Sequence, residues 1–234
     1  MKTEFHVHTN ASKDSLLGRY ALLAMCRLRG INCLAITDHN EVRGAAAIQT
    51  FMRSHGVDVI IGEEIFTKDG EIIGLFLTER ISAGLSAQET VKRIKDQNGI
   101  VYIPHPYDLK RNKTVIKPVA LERIADQVDC IEVHNGRNSD VAYSEMQRSI
   151  CEKYGRLPVV GGDAHCFFEV GRNFCVTNVP FNRAEFNHIL SGADFHVSRC
   201  IQLAHRATKF VKAVKMLQRG DYDGLRRAFN RRSR

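Results

Sequence analysis

Short apolar runs rich in β-branched residues alternate with helical segments through the first 200 residues of the chain. A strand, a helix and a second strand in that order form a parallel pair joined by a right-handed crossover. Seven or eight such units favour a closed α/β barrel, although an open doubly wound sheet would show the same alternation. Strands are predicted at 4–8, 33–37, 57–64, 100–104, 130–133, 158–162, 174–177 and 195–198, and a hairpin strand at 72–77 follows the turn at 68–70.

The composition is that of a globular protein with one large domain. Hydrophobic residues make up 44% of the 234 residues and charged residues 26%, which excludes disordered, collagen-like and coiled-coil proteins. No apolar run approaches the ~18 residues of a membrane span. The seven cysteines form no Cys-x-x-Cys pair, and the start MKTEFHVHTN lacks a secretion-signal core. We therefore expect free thiols and a cytoplasmic location.

The net charge of +8 is confined to the last seventh of the chain. Residues 201–234 contain ten Lys and Arg against two Asp, whereas residues 1–200 are formally neutral. Apolar residues recur there at helical spacing, at Phe210, Val211, Val214 and Leu217. We expect 1–200 to form the barrel and 201–234 a basic helical extension. The extension either packs on the barrel or contacts nucleic acid or an anionic membrane surface, and both roles are compatible.

Histidines and carboxylates gather where the predicted strands end. They are His6 and His8, Asp38 and His39, Glu63 and Glu64, His105, Glu132 and His134, and Asp163 and His165. The carboxyl ends of barrel strands carry the active site, so these side chains are expected to converge. His-x-His on a strand directs both imidazoles to one face. Mixed histidine and carboxylate donors suit zinc, manganese or iron, and we expect a metal site.

Five segments occur in a specific order along the chain. They are Phe-His-Val-His-Thr at 5–9, Ile-Thr-Asp-His-Asn at 36–40, Gly-Glu-Glu-Ile at 62–65, Pro-His-Pro at 104–106 and Gly-Gly-Asp-Ala-His at 161–165. In these segments the chain resembles the PHP (polymerase and histidinol phosphatase) family of metal-dependent phosphoesterases, over roughly residues 4–200. The resemblance implies a distorted (β/α)7 TIM-like barrel, and so seven units.

The resemblance also implies two or three divalent metal ions as cofactors. It assigns His6, His8, Glu64 and Asp163 to one ion, Asp14, His39 and His165 to a second, and His105 to another that Glu64 bridges. Glu64 is preferred to Glu63 on the family pattern, because strand alternation alone does not decide between them. Relatives with three metals have a further histidine in the strand at 72–77, which here reads Ile-Ile-Gly-Leu-Phe-Leu. We therefore expect the site at His105 to be incomplete.

The function implied by the resemblance is hydrolysis of a phosphate ester by metal-activated water. The substrate would be a nucleotide, a nucleic-acid end or a small phosphorylated metabolite. His105 and Asp163 are the candidate catalytic residues, and Asn135, Arg137 and Arg172 are the candidate substrate contacts.

Other residues near the motifs are expected to be structural. Asp38 is expected to orient a histidine, and Cys166 and His134 are expected to play structural roles. Two alternatives for the function stay open: a non-catalytic metal-binding module that docks through its basic tail, and a metal hydrolase of C–N bonds.

Overall fold

Seven strands close into a barrel, and their order around it follows the sequence. The computed structural model describes residues 1–111, 113–223 and 226. The barrel strands are β1 (Lys2–Val7), β2 (Cys33–Ile36), β3 (Asp58–Thr67), β4 (Gly70–Leu75), β5 (Ile100–Ile103), β6 (Cys130–Asn135) and β7 (Leu157–Ala164). Strand β1 pairs in parallel with both β2 and β7, which closes the sheet. The predicted seven-stranded α/β barrel is thereby confirmed.

Among the described residues, two further strands and seven α-helices surround the barrel. Strands β8 (Phe174–Val176) and β9 (Asp194–His196) continue the sheet from β1 in antiparallel pairs. The helices are α1 (Arg19–Arg29), α2 (Arg43–Ser54), α3 (Ala87–Asp96), α4 (Pro118–Ile124), α5 (Val141–Lys153), α6 (Phe186–Ser191) and α7 (Gln202–Gln218). Each of the nine predicted strands overlaps one of these strands, with bounds that differ by a few residues.

Strand β4 runs antiparallel to both of its neighbours, β3 and β5, and is a full member of the barrel. It begins at Gly70, two residues before the predicted start of the hairpin strand. Gly70 has a φ of 124°, and a Cβ there would lie 2.4 Å from the Ile116 backbone. Only glycine fits this turn, and the turn brings Glu71 into the strand.

Apolar side chains fill the barrel below its carboxyl end. Phe5, Ile73, Tyr102 and Ile131 are fully buried in the larger core cluster. Phe5 packs edge-to-face on Phe181, with ring centroids 5.2 Å apart. A second cluster packs α1 and α2 against the barrel through Leu22, Leu34 and Met52. The strands therefore bury apolar side chains on both faces, and the polar motif residues remain at one end.

Helix α7 lies against the carboxyl end of the barrel. Its Ala204 and Val211 are buried, and Arg137 donates a hydrogen bond of 2.7 Å to Thr208 Oγ1. Lys215, 8% exposed, donates to the carbonyls of Asn10 (2.7 Å) and Ser12 (2.6 Å).

The predicted basic extension thus begins as a helix that folds back on the barrel. Its residues 224, 225 and 227–234 lie outside the described residues. Within the described part of the chain, no helix combines the length and the apolarity needed to cross a membrane.

A candidate metal centre at the barrel mouth

Three of the eight predicted ligands adopt the left-handed backbone conformation. His6, His105 and Asp163 have positive φ angles of 69°, 29° and 50°. The left-handed region is costly for residues other than glycine, and such residues concentrate at functional sites. The register of β1 also shifts between Glu4 and Val7, next to His6. These distortions accompany the inward placement of both histidines of the His-x-His motif.

Glu64 lies at the centre of the cluster. Its Oε1 is 3.2 Å from His6 Nε2 and 3.1 Å from His105 Nε2. Its Oε2 is 2.8 Å from His39 Nδ1 and 3.5 Å from His8 Nε2. Every member of this group except His39 is at most 1% exposed.

Glu63 lies outside the cluster. It accepts a hydrogen bond of 2.8 Å from the Ile81 backbone amide. The geometry therefore places Glu64, and not Glu63, among the histidines, as strand alternation requires once one of the two points inward.

Asp163 and Asp14 complete two neighbouring groups. Asp163 Oδ1 lies 3.6 Å from His6 Nε2 and 3.5 Å from His8 Nε2. Asp14 Oδ1 lies 3.6 Å from His39 Nε2 and 3.5 Å from His165 Nε2. The structure thus brings together all eight residues that the sequence predicted as ligands: His6, His8, Asp14, His39, Glu64, His105, Asp163 and His165.

Glu71 joins the cluster from strand β4, and the sequence analysis overlooked it. Its Oε2 lies 3.5 Å from His105 Nε2, and its Oε1 lies 3.9 Å from His39 Nδ1. Burial and the neighbouring Glu64 carboxylate raise the pKa of Glu71. Strand β4 thus offers a carboxylate near His105 from its second residue, just before the predicted stretch at 72–77, and the incompleteness of the site at His105 stays a prediction. The turn at 68–70 lies where it was predicted, and a strand that started directly after it would have included Glu71.

Partners outside the cluster fix the tautomers of three histidines. His6 Nδ1 lies 3.1 Å from Glu132 Oε1, and Glu132 also accepts from the His105 amide and from Tyr102. His165 Nδ1 lies 2.8 Å from the carbonyl of Asp163, which can only accept. The Nδ1 atoms of His6 and His165 therefore carry the protons, and their Nε2 atoms face the cluster.

His8 is held through Ser12 and Asp38. Ser12 Oγ donates to Asp38 (2.6 Å) and lies 3.2 Å from His8 Nδ1. The serine has one proton, so His8 Nδ1 donates to it. Asp38 also accepts from the amide and hydroxyl of Thr9, at 2.7 and 2.6 Å. Asp38 thus orients a histidine without entering the cluster, as its sequence context predicts.

Several buried atoms of the cluster make no hydrogen bond within the described part of the chain. His6 Nε2, His8 Nε2 and Asp14 Oδ1 are buried and make no hydrogen bond. Leaving buried polar groups unpaired is costly. Imidazole nitrogens and carboxylate oxygens that converge in this way require positive charge between them, either protons or a cation. The residues therefore fit divalent metal ions with mixed nitrogen and oxygen ligands.

Among the described residues, four overlapping groups of three residues could each hold a metal ion. Within each group, the three candidate ligand atoms lie within 4.8 Å of one another. The groups are His8, His39 and His165; His6, Glu64 and His105; His6, His8 and Asp163; and His39, Glu64 and Glu71. Carboxylates already favour positive charge here: although burial opposes it, Glu64, Asp163 and Glu132 raise the pKa of His6 well above its usual value. A bound cation would take the place of that proton.

Arg111 is a second residue that the sequence analysis missed. Its Nη2 donates to Asp163 Oδ2 at 2.5 Å, and its Nε donates to Asp108 Oδ2 at 3.2 Å. Although burial opposes it, the charges of Arg111 and His6 hold the pKa of Asp163 well below its ordinary value. No local motif signals this arginine, because it reaches the site from the loop between β5 and α4.

The three predicted substrate contacts, Asn135, Arg137 and Arg172, lie in three different surroundings. Asn135 is buried and donates to Glu132 at 2.9 Å. Arg137 borders the cavity described below, but its Nε and Nη2 donate to Glu169 at 2.9 and 2.8 Å. Arg172 is absent from the cavity lining, and its Nη2 lies 3.5 Å from the Arg199 carbonyl. Direct contact with substrate stays a prediction for all three.

Cys166 and His134 have the surroundings of structural residues. Burial raises the pKa of the Cys166 thiol to about 11, which disfavours the nucleophilic thiolate. His134 Nδ1 lies 2.8 Å from Ser144 Oγ. Neither residue takes part in the cluster.

A cavity of about 720 Å³ opens above the cluster. Asp14, His39, Glu71, Asp163 and His165 border it together with Arg111. Further out, the lining includes His205, Lys209 and Lys212 of α7 and Lys13 and Lys110 of the adjoining loops. The cavity is within the size range of small-molecule sites, and its lining is strongly charged.

Comparison with known proteins identifies the family and the fold of the chain. A family model described as the PHP domain matches residues 4–227, and so passes the predicted boundary at residue 200. An uncharacterized protein of Methanocaldococcus jannaschii is 36% identical over 176 residues, which cover 74% of this chain and 69% of that protein.

Two solved structures share the fold. One, from Bacteroides vulgatus, is a two-domain protein containing a predicted PHP-like metal-dependent phosphoesterase, with a TM-score of 0.65 and 17% identity over 84% of this chain and 65% of that one. The other is an amidohydrolase from Chromobacterium violaceum, with a TM-score of 0.56 and 16% identity over 70% of this chain and 87% of that one.

Proposed function

Because the chain belongs to the PHP domain family, we propose that it is a metal-dependent phosphoesterase that hydrolyses a nucleotide, a nucleic-acid end or a small phosphorylated metabolite. One observation carries this proposal: eight buried or half-buried donors meet at the barrel mouth, and several of their atoms have no partner within the protein. A decayed or purely structural site would not keep such a costly arrangement.

The proposed ligand sets follow the observed groups. His6, His8, Glu64 and Asp163 would hold one ion, and Asp14, His39 and His165 a second. His105 would hold a third with Glu64 and Glu71, because its Nε2 lies against both carboxylates. This placement favours a ligand role for His105 over that of proton donor to the leaving oxygen. We further propose that the ions are manganese, zinc or iron, because these metals accept mixed histidine and carboxylate ligands.

When bound, divalent ions supply Lewis acidity, activation of a water molecule and neutralisation of phosphoryl charge. The chain's own contribution is to hold the ligands rigidly. Glu132 fixes the orientation of His6, and Asp38 fixes that of His8 through Ser12. Arg111 keeps Asp163 ionised and adds positive charge beside it. The cavity above the cluster admits the ester from solvent.

Two other functions compete with this one. A C–N bond hydrolase is the stronger alternative, because the amidohydrolase from Chromobacterium violaceum shares the fold. The lysine-lined cavity favours an anionic substrate and hence phosphorus chemistry. A non-catalytic module is the weaker alternative, since every predicted ligand position still has a donor side chain.

Cellular location and contacts through the tail are also proposals. All seven cysteines are free, which supports a reducing compartment such as the cytoplasm. Helix α7 places Lys209 and Lys212 beside the cavity. This supports a role of the basic extension in substrate binding more than a role in docking to nucleic acid or an anionic membrane.

The first test is hydrolysis of p-nitrophenyl phosphate, bis-p-nitrophenyl phosphate and p-nitroacetanilide by the manganese-supplemented protein. We expect turnover of a phosphate ester and not of the anilide. Asp163→Ala should lower kcat/KM at least ~100-fold, because removal of a ligand costs more than removal of an outer partner. Asp194→Ala, on exposed β9, is the matched control. Turnover of the anilide alone, or equal activity in both variants, would overturn the proposal.

A further inference from the structure

We propose that the cavity contains a second anion-binding subsite, built by Lys13, Lys110, Lys209 and Lys212, and that the substrate therefore carries a second phosphate or carboxylate besides the phosphoryl group that reacts. The inference rests on the proposed phosphoesterase function and narrows its substrate class. All four lysines border the main cavity.

The four lysines come from three separate segments. Lys13 lies in the loop between β1 and α1, directly before Asp14, and Lys110 lies in the loop between β5 and α4. Lys209 and Lys212 are three residues apart on α7 and so share one helix face. Lys13, Lys110 and Lys209 are exposed and Lys212 is half-buried, so distant parts of the chain present positive charge to one solvent-accessible cavity.

In the described part of the chain, these ammonium groups are not engaged in ion pairs, although carboxylates also border the cavity. Among residues 1–111, 113–223 and 226, none of the four lysines has a carboxylate oxygen within 4.0 Å of its Nζ. The two arginines of the same cavity behave differently: Arg111 is paired with Asp163 and Asp108, and Arg137 with Glu169. The arginine charges are therefore committed to the protein, whereas the lysine charges are available to a ligand.

The volume of the cavity also supports a substrate with a second anionic group. Its volume of about 720 Å³ is that of a site for a complete small molecule and far exceeds the needs of one phosphoryl group. The reacting group would occupy the floor, beside Asp163 and His165. The rest of the ester then extends towards the lysines, where a second anion would meet unpaired positive charge.

Helix α7 is held firmly enough for its lysines to confer specificity. The buried Lys215 ties it to the carbonyls of Asn10 and Ser12, in the same loop that carries Lys13. Lys212 and Lys209 lie three and six residues before this anchor, about one and two turns along the helix. The distance between the helical lysines and the metal cluster is thus fixed by a direct contact.

The test is calorimetric binding of two phosphonates, which cannot be hydrolysed, to the manganese-loaded protein: propylphosphonate and propane-1,3-diylbisphosphonate. We expect the wild type to bind the bisphosphonate about tenfold more tightly than the monophosphonate, with a preference that weakens as salt is raised. The double variant Lys209→Ala/Lys212→Ala should lose this preference and keep the affinity for propylphosphonate. Arg206→Ala is the matched control, because this exposed arginine of α7 does not border the cavity.

A second variant, Lys13→Ala/Lys110→Ala, tests the subsite from its other side and should also reduce the preference. Equal affinity of the wild type for the two probes, or a preference that survives both double variants, would overturn the subsite. The proposed function has its own failing outcome: propylphosphonate would not bind the wild type, or its binding would be unchanged in Asp163→Ala.

Discussion

At the scale of single residues, the cluster depends on one carboxylate. Glu64 contacts four histidines, and each of its oxygens lies against two of them. Its neighbour Glu63 is equally buried but hydrogen-bonds to the backbone on the other side of β3. Adjacent residues of identical chemistry thus have different environments, which provides a matched pair of variants.

We expect Glu64→Gln to lose at least one equivalent of bound metal per chain, because the amide removes the negative charge that the ions share. Glu63→Gln should keep the wild-type metal content. Elemental analysis after equilibration with manganese and desalting measures both. A Glu64→Gln protein with full metal content would refute the central role of this carboxylate, provided that circular dichroism shows both variants folded.

Glu63 carries a separate prediction about pH. Burial, partly offset by the hydrogen bond from Ile81, raises the pKa of Glu63 to about 7. The folded protein then keeps a proton that the unfolded chain has already released above its ordinary carboxyl pKa. The free energy of unfolding should therefore fall as pH rises from about 4.5 to about 7, by up to about 3 kcal/mol from this group.

The variant Glu63→Gln cannot ionise, so it should lack this loss and be more stable than the wild type at pH 8. Urea unfolding of both proteins at pH 5 and pH 8 gives the difference. An identical pH dependence of stability in the two proteins would show that Glu63 does not titrate in this range.

At the scale of elements, helix α7 is hydrogen-bonded to the loop between β1 and α1. Lys215 is the contact that matters, because a buried ammonium group donates to two loop carbonyls. Burial lowers its pKa, yet the group keeps enough donors to satisfy both oxygens.

Lys215→Met should destabilise the protein by about 1–3 kcal/mol, because it leaves two carbonyls without their donor. We expect a fall in Tm of about 3–10 °C. Arg219→Met, an exposed change on the turn after the same helix, is the control and should have little effect. Scanning calorimetry compares them, and equal melting temperatures would mean that the anchor contributes nothing.

The elements also show what sequence patterns can and cannot predict. The His-x-His, Asp-His and Asp-x-His motifs follow strand ends, and strand ends are visible as apolar runs, so His6, His8, His39, Asp163 and His165 were predictable from the pattern. Asp14, and the choice of Glu64 over Glu63, came only from the resemblance to the family. Glu71 was not found, because the predicted strand began at residue 72 and left Glu71 between the turn and the strand. Arg111 was not found because it lies in a loop, where no periodicity marks which way a side chain points.

At the scale of the whole molecule, the net positive charge lies in the C-terminal segment and not in the barrel. The barrel portion is formally neutral and α7 is strongly basic, as the sequence indicates. Composition alone left open whether those basic residues face solvent or the site. The orientation of α7 depends on contacts such as that of Arg137 with Thr208. These two residues are 71 positions apart, and no local sequence pattern links them.

The closure of the barrel through β1 has a consequence for metal capture. Phe5 pairs with Gly161, and Lys215 contacts residues more than 200 positions earlier. His6 and His8 meet Asp163 and His165, which lie more than 150 positions later in the chain, only when the last barrel strand joins the first. On our ligand assignment, metal capture therefore follows closure of the barrel, and the ion bound is one that is available while the chain folds.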